Sequence, residues 1–71
     1  MESVIKVMSI LESGQWYDFK TLVSNCKIQE FDLKIILNYL TKFELVQFNK
    51  KKKIFRLHPS MIRLINRLQD N

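Results

Sequence analysis

The apolar positions of this chain follow a helical period through its first half and a different pattern afterwards. The first helix is predicted over residues 2–13, where one apolar stripe is formed by Val4, Met8 and Leu11. Gly14 then ends this helix, and residues 15–17 form a short extended piece. Asp18 is placed to cap a second helix that continues to about Asn25.

The longest helix is predicted over residues 29–43, after a brief turn at residues 26–28. Its core stripe consists of five apolar residues at helical spacing: Leu33, Ile36, Leu37, Leu40 and Phe43. Glu30 and Asp32 lie in its first turn, where acidic side chains suit the positive end of the helix dipole.

Residues 45–49 and 54–58 are rich in β-forming side chains and predict a two-stranded hairpin. Four lysines lie between them, and because no Asn-Gly or Asp-Gly pair is present, the tip is predicted to be longer than two residues. Pro59 then begins a last helix, whose apolar side consists of Met61, Ile62, Ile65 and Leu68. The pattern predicts an α+β fold in the order helix, short strand, helix, helix, hairpin, helix.

The size and composition of the chain are those of one globular domain, predicted over residues 1–71. The chain is 46% hydrophobic and 27% charged, with one Gly and one Pro, so few residues are left for loops. No apolar run approaches the roughly 18 residues of a membrane span, which predicts a cytoplasmic protein that does not enter a membrane. The single cysteine, Cys26, cannot form an internal disulfide, so a reducing compartment is expected.

The excess positive charge is concentrated in one stretch of seven residues. The formal net charge is +5, from 12 basic and 7 acidic residues. Five of the basic residues have no acid among them: Lys50, Lys51, Lys52, Lys53 and Arg56. A local excess of this kind indicates contact with a polyanion such as DNA. The alternative is a solvated hairpin tip that keeps an edge strand soluble.

Three stretches of the sequence resemble the winged helix-turn-helix family of DNA-binding proteins. Residues 33–46, LKIILNYLTKFELV, and residues 53–57, KIFRL, look like the end of a recognition helix, the passage into a wing and the returning wing strand. Residues 10–22, ILESGQWYDFKTL, are similar to small archaeal members. The resemblance implies a winged helix that binds double-stranded DNA, as a transcriptional regulator or a small nucleoid-associated chromatin factor. Glu44 departs from it, because the family often has Gly there.

The resemblance implies that the third helix enters the major groove and that the lysine wing lies along the backbone or the minor groove. Four donor-bearing side chains project away from the core stripe of that helix: Lys34, Asn38, Thr41 and Lys42. The alternative function is a winged helix that serves as a protein-interaction module, with a partner bound through Phe31 and Ile35. Those two side chains are expected to pack on the second helix or the turn, or else to form an exposed patch.

The first and last helices carry more apolar surface than one small core covers, which predicts a homodimer. Its interface is expected to include residues of both helices: Val7, Ile10, Met61, Leu64, Ile65 and Leu68. A monomer in which Leu64 and Ile10 cover each other is the alternative. The sequence contains no Gly-rich phosphate loop, nucleophile-base pair or metal-ligand spacing, so no enzyme activity, cofactor or metal is predicted.

Overall fold

The structure is a computed structural model that describes residues 2–69. Met1, Asp70 and Asn71, at the ends of the predicted domain, lie outside the described residues. In chain order the described part contains helix α1 (Glu2–Leu11), strand β1 (Tyr17–Asp18), helix α2 (Phe19–Cys26), helix α3 (Glu30–Lys42), strand β2 (Val46–Asn49), strand β3 (Ile54–Leu57) and helix α4 (Pro59–Gln69). This confirms an α+β fold with the predicted order of elements, and the arrangement is compatible with a winged helix.

The three described strands form one antiparallel sheet in the order β1-β3-β2. Phe55 of β3 pairs with Tyr17 on one side and with Phe48 on the other. Because side chains alternate along a strand, Phe55 and Leu57 share one face of β3, and Arg56 points to the opposite face. Leu57 is completely buried, so its face of the sheet lies against the helices.

A single hydrophobic core lies between the helices and the sheet. Its buried residues are Val7, Leu11, Leu22, Cys26, Leu33, Leu37, Leu40, Val46 and Leu57. Each fully buried aliphatic side chain contributes roughly 1.5–3 kcal/mol through the hydrophobic effect, so this cluster dominates the stability of the fold. Helix α4 only covers the core from outside, because no residue of Pro59–Gln69 is fully buried.

Helix α1 ends at Leu11, two residues before its predicted end. The N–H of Glu12 still donates to the carbonyl of Met8 at 2.9 Å, but the N–H of Gly14 donates to the carbonyl of Leu11 at 3.0 Å. The last turn therefore tightens from α-helical to 3₁₀ spacing. Gly14 then takes a left-handed φ of 81°, which a residue with a β-carbon rarely adopts.

Helix α3 ends in a Schellman motif that contains no glycine. The N–H of Leu45 donates to the carbonyl of Leu40 at 2.9 Å, and the N–H of Glu44 donates to the carbonyl of Thr41 at 3.0 Å. Glu44 itself takes the left-handed conformation, with φ of 61°. The conformation usually adopted by glycine is thus imposed on a glutamate, at the position where the sequence departs from the family pattern.

Several predicted positions of apolar side chains are wrong. Phe43 is exposed, because it lies at the C-cap of α3 beside Tyr39 on the outer face and not in the core stripe. By contrast, Phe31 and Ile35 are exposed, which is the second of the two arrangements expected for them. Leu68 is exposed near the end of α4, so the apolar side of that helix stops short of it. Val7 is completely buried in the core of one chain and offers no surface to a dimer partner.

Candidate nucleic-acid interface

A groove with a volume of about 210 Å³ separates α3 from the hairpin formed by β2 and β3. Lys34 and Asn38 line it from the helix, and Lys53 lines it from the hairpin. Its apolar lining is supplied by Phe19, Leu37, Phe48 and Phe55. The structure thus brings together two predicted residues of α3 and one predicted residue of the lysine run.

Aromatic rings shape this groove, and one of them lies beneath Lys34. Phe48 and Phe55 stack across the hairpin with ring centroids 4.7 Å apart, a cross-strand pair that stiffens the two strands. The Nζ atom of Lys34 lies 6.0 Å from the centroid of the Phe19 ring, at the limit of a cation–π contact. The ammonium group of Lys34 therefore sits over an apolar floor and remains accessible to an anionic ligand.

The basic loop, residues 50–53, is held in one conformation by Asn49. The side-chain Oδ1 of Asn49 accepts hydrogen bonds from the backbone N–H groups of Lys51 at 3.0 Å and Lys52 at 3.1 Å. Its backbone carbonyl accepts from the N–H of Lys53 at 2.7 Å. The tip has four residues, longer than two as predicted, and all four lysine side chains are exposed. The backbone is fixed while the ammonium groups point into solvent.

Thr41 and Lys50 meet in a second groove, of about 330 Å³, beyond the first one along α3. Thr41 is half-buried there and Lys50 is exposed. Glu44 also lines this groove, and its carboxylate weakens the positive potential of that end. The most favourable place for an anion is therefore the end that contains Lys34 and Lys53.

Four residues of the predicted DNA-binding set line neither groove. Lys51 and Lys52 belong to the basic loop, whereas Arg56 and Lys42 do not. The guanidinium of Arg56 lies 4.6 Å from the centroid of the Trp16 ring, and its Nε donates to Oε1 of Gln47 at 2.8 Å. Because it points to the opposite face of β3, Arg56 does not extend the basic surface beside α3. Lys42 also lies apart from the hairpin, with its Nζ 6.0 Å from the centroid of the Phe43 ring.

The ionisable groups of residues 2–69 form no metal site, and two of them have a shifted pKa. Within residues 2–69, no three His, Cys, Asp or Glu side chains lie close enough to hold a metal ion. Burial raises the pKa of the Cys26 thiol, which keeps it protonated and unreactive. Hydrogen bonding to the side chain and the backbone N–H of Thr21 lowers the pKa of Asp18, the predicted cap of α2. The helices in this part of the chain are too short and too polar to cross a membrane.

Three aromatic residues belong to exposed surfaces that the sequence reasoning missed. Phe48 is exposed beside the first groove, and Tyr39 and Phe43 are exposed on α3. The signal for the last two was present, because they continue a four-residue spacing that begins at Phe31 and Ile35.

Comparison with known family models, curated proteins and solved structures finds no match to this chain. The features of this chain that indicate a function are therefore its grooves, its basic loop and the outer face of α3.

Proposed function

We propose that this protein is a winged helix-turn-helix protein that binds double-stranded DNA, as a transcriptional regulator or a small chromatin-associated factor. The observation that carries the proposal is that Lys34 and Asn38 of α3 share one groove with Lys53 of the basic loop. A helix edge with two donors and a neighbouring loop of lysines offers groups for base edges and for phosphates on one surface.

Each part of this basic surface has a separate role in the proposed complex. The lysines of residues 50–53 neutralise phosphates along the backbone or the minor groove, which supplies affinity without sequence preference. Asn38 lies at the helix edge, where an amide can pair with the two hydrogen-bonding groups of adenine in the major groove. Lys34 bridges the two regions, because it lies beside Asn38 and faces Lys53 across the groove. Arg56 is not part of this surface.

A second candidate function is a winged-helix module that binds another protein. Exposure of Phe31 and Ile35 on α3 favours it, because large apolar side chains on the outer face of a helix gain little from phosphates. The two acids in the first turn of α3 also repel DNA at the end that normally approaches the bases. The two functions are compatible if DNA contacts the hairpin-facing edge of α3 and a protein contacts its outer face.

Salt dependence of DNA binding tests the proposed function. Fluorescence anisotropy with a labelled random duplex is measured at several salt concentrations for the wild type and for the triple variant Lys51→Ala, Lys52→Ala and Lys53→Ala. At a slope of about 0.9 for each neutralised phosphate, losing three contacts in each subunit lowers the slope of log K against log salt by about 3 per bound subunit. Binding to all duplexes weakens similarly, because phosphate contacts carry no sequence information.

The matched control removes the same charge from exposed positions elsewhere, with Lys6→Ala, Arg63→Ala and Arg67→Ala. Its slope is expected to change by less than about 1, because charges outside the interface release no counterions there. Equal slopes for the two triple variants would show that binding has no defined site. No binding by the wild type at low salt would remove the proposed function.

A separate experiment tests whether Asn38 recognises bases. It uses a duplex of preferred sequence, obtained by selection from random DNA. Asn38→Ala is expected to weaken binding to that duplex by about 5- to 150-fold, which corresponds to the loss of one bidentate contact with a base. Binding to random DNA should change little. Asn66→Ala on α4, also at an exposed position, is the control and should leave both affinities unchanged. Equal losses on both DNAs would contradict base recognition by Asn38.

A further inference from the structure

Four large apolar side chains form a continuous strip on the outer face of α3. They are Phe31, Ile35, Tyr39 and Phe43, with 71%, 53%, 61% and 55% of their surface exposed. Tyr39 and Phe43 contact each other with ring centroids 4.8 Å apart. Beside the strip, a hollow of about 370 Å³ between α1 and α3 is lined by Val4, Ile35, Ile36, Tyr39 and Leu40. Within residues 2–69, no element covers this apolar strip.

The exposed area of the apolar strip matches the apolar part of a protein interface. At about 200 Å² for each large side chain, the exposed fractions correspond to about 450–500 Å². A stable complex covers about 800 Å² on each partner, of which roughly 57–65% is apolar, or about 450–520 Å². The strip is thus large enough to form the centre of such an interface, with polar neighbours at its rim.

The spacing of the strip favours another helix of the same kind as its partner. Side chains four residues apart form a ridge that fits the groove beside an equivalent ridge, with the two helix axes crossing at about −50°. A second copy of this chain carries the same ridge. A two-fold axis then brings the two strips together. Because both copies use the same surface, the assembly stops at a dimer and does not extend into a filament.

The charges of α3 select an antiparallel arrangement of two such helices. Glu30 and Asp32 lie in its first turn and Lys42 lies in its last turn. In an antiparallel pair, the acidic first turn of one helix faces the basic last turn of the other, and the helix dipoles also oppose each other favourably. A parallel pair places the acids of the two copies side by side.

We infer that the protein forms a homodimer through the apolar strips of two antiparallel α3 helices. This differs from a dimer through α1 and α4. Of the residues expected there, Val7 is buried, and Ile10, Met61 and Ile65 already pack against the core. Three large apolar side chains remain exposed on these two helices, Ile5 on α1 and Leu64 and Leu68 on α4, against four in the apolar strip.

The dimer places the two basic loops on the same side of the assembly. At 3.6 residues per turn, the middle of the apolar strip lies about 100° around α3 from the edge that carries Lys34 and Asn38. With the strips facing each other, a two-fold axis normal to the helix pair turns both hairpin-facing edges in one direction. In this arrangement one duplex contacts both subunits. That contact with DNA is the only part of the inference that rests on the proposed function.

The mass in solution, measured without DNA by light scattering and sedimentation from about 1 to 500 μM, tests the dimer independently of DNA binding. The wild type is expected at a mass near twice the 8.6 kDa of one chain at the upper concentrations. Ile35→Glu should raise the dissociation constant by roughly 30-fold or more, the effect of removing a central interface residue. Leu64→Glu on α4 is the matched control and should leave the dissociation constant unchanged.

A pair of charge reversals tests the antiparallel arrangement. Asp32→Lys and Lys42→Asp should each weaken the dimer, and the double variant should recover most of the wild-type affinity, because the opposite charges meet again. Circular dichroism confirms folding of each variant, and Phe31→Glu replaces Ile35→Glu if the latter does not fold. A wild-type mass near one chain at every concentration would overturn the inference. The inference would also be overturned if Leu64→Glu dissociated the dimer and Ile35→Glu left it intact.

Discussion

Replacing Glu44 by Gly is expected to stabilise the fold. Glu44 occupies the left-handed position of the Schellman motif with φ of 61°, where its β-carbon crowds the following carbonyl. Two hydrogen bonds, from Leu45 to Leu40 and from Glu44 to Thr41, hold this conformation. The backbone therefore keeps the same path in the variant, and glycine adopts it without the steric cost.

The size of the effect follows from two opposing contributions. The left-handed conformation costs an ordinary residue roughly 1–2 kcal/mol, which glycine avoids. Glycine also gives the unfolded chain more freedom, which offsets about 0.4–1 kcal/mol of the gain. The free energy of unfolding should therefore rise by about 0.5–1 kcal/mol, which raises Tm by about 2–8 °C for a domain of this size.

Urea and thermal unfolding followed by circular dichroism measure this change. Glu44→Ala is the matched control, because it removes the carboxylate and keeps the β-carbon, and its stability should stay within about 0.5 kcal/mol of the wild type. If Glu44→Gly were no more stable than Glu44→Ala, the left-handed strain would not be the cause. Both variants should bind DNA slightly more tightly and to the same extent, since both remove the acid that lines the groove with Lys50.

Three further expectations concern groups outside the basic surface. The lowered pKa of Asp18 means that its stabilising effect is present above the unfolded pKa and is lost as pH falls through the folded pKa. In Asp18→Asn, the free energy of unfolding measured by urea titration should therefore fall less steeply below about pH 4 than in the wild type. An equally steep fall in both proteins would contradict this. Cys26, buried with a raised thiol pKa, should react slowly with an aromatic disulfide reagent until urea unfolds the chain; rapid labelling of the native protein would show that the site opens. Leu22→Ala should lower the free energy of unfolding by about 2–5 kcal/mol in the same urea assay. The exposed control Leu64→Ala should lower it by less than about 1 kcal/mol. Similar losses in both variants would show that Leu22 is not a core residue.

The order of the elements could be predicted because its signals are local. Gly14, Asp18 and Pro59 each act on the residues beside them, and all three lie at helix boundaries in the structure. The core stripe of α3 was also visible in the sequence, since a period of 3.6 residues fixes which side chains share a face. Phe43 lies at the edge of that stripe, and the structure leaves it exposed beside Tyr39.

The candidate site was only partly predictable, for a different reason. The lysines of residues 50–53 are adjacent in sequence, so any hairpin brings them together. The position of Arg56 depends on strand alternation and on its contact with Trp16, a residue far from it in sequence. The exposure of Phe31 and Ile35 depends on which surface α1 and α2 leave uncovered. The spacing of residues along one helix shows which side chains share a face, but not whether another element covers that face.

The two faces of α3 limit how this helix can approach DNA. Its outer face presents the apolar strip, which offers bases and phosphates few hydrogen bonds, and its first turn adds Glu30 and Asp32. Its hairpin-facing edge presents Lys34 and Asn38 beside Lys53. Full insertion of the outer face into a major groove would bring the acids close to phosphates and leave polar base edges against phenylalanine.

Contact along the hairpin-facing edge avoids both costs and leaves the apolar strip free for a second chain. Dimerisation and DNA contact should then respond to different substitutions. Ile35→Glu should abolish the dimer and weaken DNA binding only through the loss of the second subunit, with the slope against salt reduced by about half. Lys53→Ala should lower that slope and leave the mass in solution unchanged. If Ile35→Glu abolished DNA binding by the monomer altogether, the outer face of α3 would itself be the DNA-contacting surface.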